Sequence, residues 1–310
     1  MKPIIIGKPD FAGKIAKTIS DSYFIEIEER IFPDGEVCPR LLLTDEKKIK
    51  NQHAIVTLQL HSDQSKNQYL ISLLLSIYNI KRFKPKKLSC IMPYHLYARQ
   101  DRETRKGEPV SSRYMGTMLE SAGIDAFMTL SSHIYGKADI QSFFSKAKAE
   151  DITAIPHLVR SISKYIEYPH EVICFSPDEG ALRLAKEAAE AINSPYFGAI
   201  KKKRDSNSGE IVQTLVGIDI DLKNRTVLII DDMVSSGGTM IGASNLLKKK
   251  GVKEVIFAYI HAVHTDESFL NIKKANPSII LTTDTIKTNF EDLTTQSIIP
   301  LISSWIKKNS

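Results

Sequence analysis

Short β-branched runs alternate along this 310-residue chain with stretches whose apolar residues recur at helical spacing. That alternation constrains the fold more than any other feature, because it is the pattern of βαβ units and a mostly parallel sheet. It predicts strands at Pro3–Ile6, Tyr23–Ile27, Ala54–Leu58, Lys87–Met92 and Ala126–Leu130, and helices over Asp10–Ser20, Gln68–Asn79 and Ser111–Ala122. A second series then begins. Its strands are expected at Glu171–Phe175, Tyr196–Ile200, Ile211–Val216, Arg225–Ile230, Val255–Ile260 and Ser278–Thr282. Its helices are Ile155–Tyr165, Ala181–Ile192 and Met240–Lys250, with a short amphipathic end at Ile298–Ile306. The polar, Lys-rich stretch Ser145–Asp151 reads as the boundary between them. The expectation is an α/β protein of two similar domains, residues 1–148 and 149–310, with the last residues a candidate to pack back on the first domain.

Composition narrows the function classes. Hydrophobic residues make up 42% and charged residues 25%, ordinary for a soluble globular chain, which excludes bulk disorder and collagen-like repeats. No apolar stretch approaches the roughly 20 residues that span a bilayer, so no membrane partner is expected. No secretory leader pattern opens the sequence, and the three cysteines (Cys38, Cys90, Cys174) are odd in number and lack metal-ligand spacing. The expected setting is cytoplasmic, with reduced thiols. A net charge of +6 comes largely from local runs such as Lys201–Arg204 and Lys248–Lys250. These runs lack the interleaved aromatics of a nucleic-acid footprint and read as solvated helix ends.

The strongest motif is Val227-Leu228-Ile229-Ile230-Asp231-Asp232-Met233-Val234-Ser235-Ser236-Gly237-Gly238-Thr239. A buried strand delivers two acidic residues at its carboxyl edge, where ligands of open α/β sheets bind. A loop of small residues then opens a helix, so its backbone N–H groups can close around a phosphate. Asp231 and Asp232 would repel that phosphate. They suit the hydroxyls of an attached sugar, directly or through Mg²⁺.

This segment resembles the phosphoribosyl-diphosphate (PRPP) loop of the type I phosphoribosyltransferase fold, which serves transferases that consume PRPP and ribose-phosphate diphosphokinases that make it. By residue type alone, Arg99-Gln100-Asp101-Arg102 is a solvated Arg–Asp cluster whose Gln100 amide could read a base. The run Tyr97-Ala98-Arg99-Gln100-Asp101-Arg102 nevertheless resembles the diphosphokinase ATP-site signature, which transferases lack. Phe32-Pro33-Asp34-Gly35-Glu36, alone only a turn, is similar to the family loop that contacts adenine from a neighbouring subunit. The resemblance further implies that His133 and Asp178 hold Mg²⁺, although imidazole is an unusual ligand for that hard cation. It implies a catalytic Lys-X-Arg on a mobile loop, here Lys202 and Arg204 ahead of Asp205–Gly209. It assigns Thr283-Asp284-Thr285-Ile286 to a family strand end.

The elements run from Phe32 to about Ile298 in family order. The chain is therefore expected to have two phosphoribosyltransferase-like domains and to move a diphosphoryl group from ATP to ribose 5-phosphate. ATP-binding falls to Phe32, Asp34, Gly35, Glu36, Arg99, Gln100, Asp101 and Arg102. Ribose-5-phosphate binding falls to Arg204, Asp231, Asp232, Ser235, Ser236, Gly237, Gly238 and Thr239. A homo-oligomer (dimer or hexamer of dimers) is also implied. A nucleobase phosphoribosyltransferase would share only the PRPP loop, and a non-catalytic regulatory homologue would typically lose the positions kept here.

The chain departs from the common family pattern in places. Ser235-Ser236 stand for the usual Asp-Thr, and Asp178-Glu179-Gly180 lacks a paired glycine; both are similar to the archaeal type. Ser131-Ser132 precede His133 in place of Asp-Leu, Ile134–Asp139 lengthen the next loop, and Lys201 replaces an acidic residue.

Overall fold

The computed structural model describes residues 2–43, 48–204 and 211–310, with backbone only at 202–204 and 211–213. The chain forms two compact units. The first runs to Thr153 and takes back Thr285–Lys287 and Ile298–Ser310, while the second holds Ala154–Asp284 and Thr288–Ser297.

The first unit is a seven-stranded sheet built from β1 (Ile4–Gly7), β2 (Tyr23–Ile31), β3 (Val37–Leu41), β4 (His53–Thr57), β6 (Lys87–Ile91), β7 (Ala126–Leu130) and β8 (Lys148–Ile152). Its order is β3-β2-β1-β4-β6-β7-β8, parallel except where β3 runs back against β2. β1 and β4 are buried along their whole length, as strands covered on both faces must be. On one face Ile5, Ile55, Ile91 and Met128 pack with Phe11 and Ile15 and with Ile302, Trp305 and Ile306 of α8 (Ile299–Asn309). Truncating one such isoleucine to Ala would cost roughly 2–5 kcal/mol. The other face is covered by α2 (Lys66–Lys81) and α3 (Ser111–Ala122), whose Leu73, Ile77, Met115 and Leu119 are buried. Gly123 ends α3 in the left-handed conformation, φ 109°.

The second unit has strands β9 (Ile173–Ser176), β10 (Phe197–Arg204), β11 (Ile211–Val216), β12 (Thr226–Val234), β13 (Glu254–Ala262), β14 (Ile279–Thr283) and β16 (Thr294–Gln296). Their order is β11-β10-β9-β12-β13-β14-β16, again parallel except for the β10–β11 pair. Ile173, Phe175, Val227, Ile229, Val255 and Phe257 meet α6 (Gly238–Lys249) and α7 (Asp266–Lys274) through Met240, Leu247, Phe269 and Ile272. α5 (Leu182–Ala191) buries Ala185, Ala188 and Ala189 against β9 and packs beside α4 (Ile155–Val159). In the first unit a two-residue strand β5 (Leu60–His61) pairs with β15 (Ile286–Lys287), and Lys287 Nζ reaches Asp10 at 2.6 Å.

Several expected elements differ. Asp10–Ser20 is a π-helical turn, Pro9–Gly13, followed by one α-turn, α1 (Lys14–Lys17). Ile155–Tyr165 changes from α to 3₁₀ at Arg160. The stretch read as the boundary is strand β8, parallel to β7. β12 continues through the acidic pair to Val234, four residues past its expected end, because β13 pairs with it as far as Ala262.

Candidate active site

In the second unit the chain leaves β9 toward β10 on one side of the sheet and β12 toward β13 on the other, so the crevice between β9 and β12 is a topological switch point. Both strands bring acids to it. Asp231 Oδ1 accepts the N–H of Asp232 at 2.9 Å, and Asp232 Oδ1 that of Met233 at 2.8 Å. Burial pushes the Asp231 carboxyl well above the usual range, the neighbouring Asp232 charge adds to this, and Asp178 contributes a smaller push. Asp178 follows β9, exposed, and caps a 3₁₀ turn by accepting the N–H of Ala181 at 3.1 Å. Three carboxylates thus crowd one sheet edge, a field that favours hydroxyl donors or a cation.

The small-residue loop follows directly. Ser235, Ser236, Gly238 and Thr239 are exposed while Gly237 is buried. Gly237 is the N-cap of α6 in the left-handed conformation (φ 76°), and no side chain caps the helix. The first turn of α6 carries no acidic residue, so its N–H groups and the positive end of the helix dipole face outward without compensation. That arrangement suits an anion of phosphate size.

Lys202 and Arg204 lie on the β10 backbone opposite Gln213 and Ile211. Their side chains, and all of residues 205–210 including the expected mobile loop, lie outside the described residues. Lys201 is ion-paired with Glu179 at 2.8 Å, so the first member of the lysine triplet already has a carboxylate partner.

In the first unit, Phe32–Glu36 is the exposed tip of the β2–β3 hairpin. Gly35 N–H donates to Phe32 O at 2.8 Å, Glu36 N–H to Asp34 Oδ1 at 3.1 Å, and the Arg30 guanidinium sits 4.5 Å over the Phe32 ring. Two neighbours at the start of α2 tie the expected ATP segments together: Gln68 Nε2 donates to Gly35 O at 2.9 Å, and Tyr97 OH to Asn67 Oδ1 at 2.5 Å. Sequence reasoning missed Asn67 and Gln68, which carry no motif of their own. Arg99 and Arg102 are exposed, and Asp101 is half-buried. Gln100 is half-buried. Its Nε2 donates to Arg102 O (2.9 Å), Thr104 Oγ1 (3.2 Å) and Glu108 Oε2 (3.2 Å), so its nitrogen organises its own loop.

His133, half-buried, follows β7 across Ser131, whose φ of 40° is a strained value for a residue with a Cβ. Asp151 on β8 clasps this turn, accepting Ser132 N–H at 3.2 Å and the Ser132 hydroxyl. The lengthened segment after His133 is compact, with Ile134 buried and Asp139 capping the turn Ile140–Phe143. Among the described residues, no group of three or more His, Cys, Asp or Glu side chains could hold a metal by itself. Mg²⁺ asks for less: one or two carboxylates, with water and phosphate oxygens completing its shell. The hard carboxylate oxygens of Asp178, taken singly, fit that demand.

Residues 5–123 match the family model described as the N-terminal domain of ribose phosphate pyrophosphokinase, and residues 149–291 match that of the phosphoribosyl transferase domain. A ribose-phosphate pyrophosphokinase of Sulfurisphaera tokodaii is 31% identical over 304 residues, covering 97% of this chain and 99% of the relative. One from Corynebacterium glutamicum is 31% identical over 305 residues, covering 97% and 89%. Among solved structures, phosphoribosylpyrophosphate synthetase from Mycobacterium smegmatis superposes over 100% of both chains with a TM-score of 0.84 at 28% identity.

Proposed function

The chain belongs to the ribose-phosphate pyrophosphokinase family, and from that premise we propose that it transfers the β,γ-diphosphoryl group of MgATP to the C1 hydroxyl of ribose 5-phosphate, giving PRPP and AMP. The observation that carries this reading is the uncapped, acid-free start of α6, reached through Ser235–Gly237 from the strand that carries Asp231 and Asp232: an anion cradle that follows a carboxylate pair, as a phosphorylated sugar requires.

The C1 hydroxyl oxygen attacks the β-phosphorus in line and gives up its proton to solvent, the bond from that phosphorus to the α–β bridging oxygen breaks, and AMP departs with the electron pair. Positioning and charge neutralisation dominate such transfers. The Ser235–Thr239 loop anchors the 5-phosphate, and Asp231 with Asp232 orients the ribose hydroxyls. Arg99, Lys202 and Arg204 offset charge on the transferred group. Phe32, Asp34, Gly35 and Glu36 serve the adenine side, with Gln100, Asp101 and Arg102 shaping the adjacent loop. Asp178 would supply a carboxylate to Mg²⁺, and His133 keeps the metal-ligand role that the resemblance gives it. Bound Mg²⁺ would neutralise the phosphate oxygens of ATP and relieve the repulsion among the site's carboxylates.

A homo-oligomer is part of the proposal. α2 exposes Ile71, Leu75 and Tyr78 at helical spacing, an apolar stripe of the kind that subunit contacts cover. So is a cytoplasmic setting, which suits three free cysteines, two of them buried. No described helix is long and apolar enough to cross a membrane.

³¹P NMR of the protein with ATP, Mg²⁺ and ribose 5-phosphate tests the reaction. AMP and a sugar-linked diphosphate should grow equally. Growth of ADP would overturn the reading.

A further inference from the structure

Glycine populates positive and negative φ about equally, so a glycine held left-handed at a binding loop needs something outside itself to hold it there. At Gly237 that something is visible. A Cβ on this residue would lie 2.4 Å from Ile272 Cγ1 and 3.0 Å from its Cδ1, so Ile272 occupies the space any side chain would need. Ile272 is itself fully buried, on the face that α7 turns toward α6. Its β-branched side chain has little rotamer freedom in a helix and presents a fixed shape.

α7 is anchored at both ends. Thr265 and Ser268 form a reciprocal capping box at its start. Phe269 stacks on His264 with ring centroids 5.1 Å apart and meets Phe290 at 4.4 Å. At its end, Lys248 of α6 donates to the carbonyls of Ala275 (2.5 Å) and Asn276 (3.1 Å). α7 is thus a braced element that presses one side chain on the residue that starts α6.

We infer that Ile272 is a positioning residue for the phosphate loop: by closing the space beneath Gly237 it fixes the left-handed turn that aims the first amides of α6 outward. Ile272 touches no reacting atom. Its effect reaches the substrate through Gly237, and it rests on the reading of Ser235–Thr239 as the ribose 5-phosphate anchor. Because the anchor acts on one substrate, the signature is selective: affinity for ribose 5-phosphate depends on Ile272, and affinity for ATP does not.

The test compares Ile272→Ala, Ile272→Val and the control Leu247→Ala, which truncates the same core away from Gly237. Steady-state kinetics and thermal unfolding are read on the full chain. Ile272→Ala should raise KM for ribose 5-phosphate about tenfold while KM for ATP stays within about twofold. Ile272→Val keeps Cγ1 and should restore most of the loss. Leu247→Ala should lower Tm without this split. Unchanged KM in Ile272→Ala, or the same KM pattern in Leu247→Ala, overturns the inference. If the wild type forms no PRPP, the proposed function has failed, and the Gly237 ¹H–¹⁵N resonance decides the inference separately. It should move in Ile272→Ala and hold in Ile272→Val; a resonance indifferent to both overturns it.

Discussion

His53 Nε2 lies 2.8 Å from Ser89 Oγ between the paired strands β4 and β6, with both residues buried. Burial, and then the positive charge of Lys87, hold this imidazole down to about 4. In the unfolded chain it titrates near 6.5, so between those values the unfolded state binds the proton and the folded state does not. The stability is fully present above about pH 6.5 and is lost as pH falls toward 4. His264, also held to about 4 by burial, acts in the same direction. Urea midpoints should fall between pH 7 and 4.5, with His53 accounting for roughly 2–3 kcal/mol. A His53→Gln variant should show a shallower slope, and an unchanged slope would contradict the assignment.

Gly237→Ala should cost ribose 5-phosphate affinity tenfold or more, since it sets a Cβ against Ile272 and strains a left-handed backbone by about 1–3 kcal/mol. Isothermal titration with ribose 5-phosphate measures this. Gly238→Ala is the control, because a Cβ there meets only Ser236 Oγ at 3.8 Å, and it should bind within a few-fold of wild type.

Asp231→Asn should stabilise the fold while harming the reaction. The variant removes a carboxylate that burial and Asp232 both disfavour, and Tm should rise by a few degrees. It also removes an acceptor for the ribose hydroxyls, so KM for ribose 5-phosphate should increase. A variant with lower Tm would show that the pair holds the strand end together instead of burdening it.

Lys202→Ala should lower kcat by at least roughly tenfold, a loss of ~1.4 kcal/mol of transition-state stabilisation. Lys203→Ala made in parallel checks the register of the triplet, and Lys201→Ala should matter less because Glu179 already pairs with it. Wild-type turnover in the Lys202 variant would move the role to a neighbour.

Leu75→Glu should reduce the mass observed by sedimentation velocity, because it sets a charge in the apolar stripe between Ile71 and Tyr78. An unchanged sedimentation coefficient would leave that face outside the subunit contact.

The inner strands were legible because strands covered on both faces must be continuous apolar runs, and Ile4–Ile6 and Val227–Ile230 are such runs. Among the edge strands β11 was read at its full length, Ile211–Val216, whereas β3, β8 and β16 were not. β3 carries Pro39 and Arg40, and β8 reads Lys-Ala-Glu-Asp-Ile; each pairs on one side only and needs no apolar pattern. α7 was missed although Thr265 and Ser268 signalled its start, and with it went Ile272. The acidic pair and the glycines stood out as a motif because their chemistry is local, whereas the Arg99–Arg102 segment stood out only through the family resemblance. The Gln100 bonds to its own loop, the Asp151 clasp on Ser132 and the bridge from Asn67 and Gln68 depend on residues brought together only by folding.

The strand orders of the two units correspond position for position, β4 standing where β12 stands, fourth in each sheet between parallel neighbours. β12 carries Asp231 and Asp232 and leads into the small-residue turn Ser235–Thr239, whereas β4 ends at Thr57 and runs into Leu58-Gln59 with neither. With the proposed sugar-phosphate anchor confined to the second unit, the corresponding edge of the first is free of that chemistry and carries the β5–β15 pair and the Lys287–Asp10 bridge in its place.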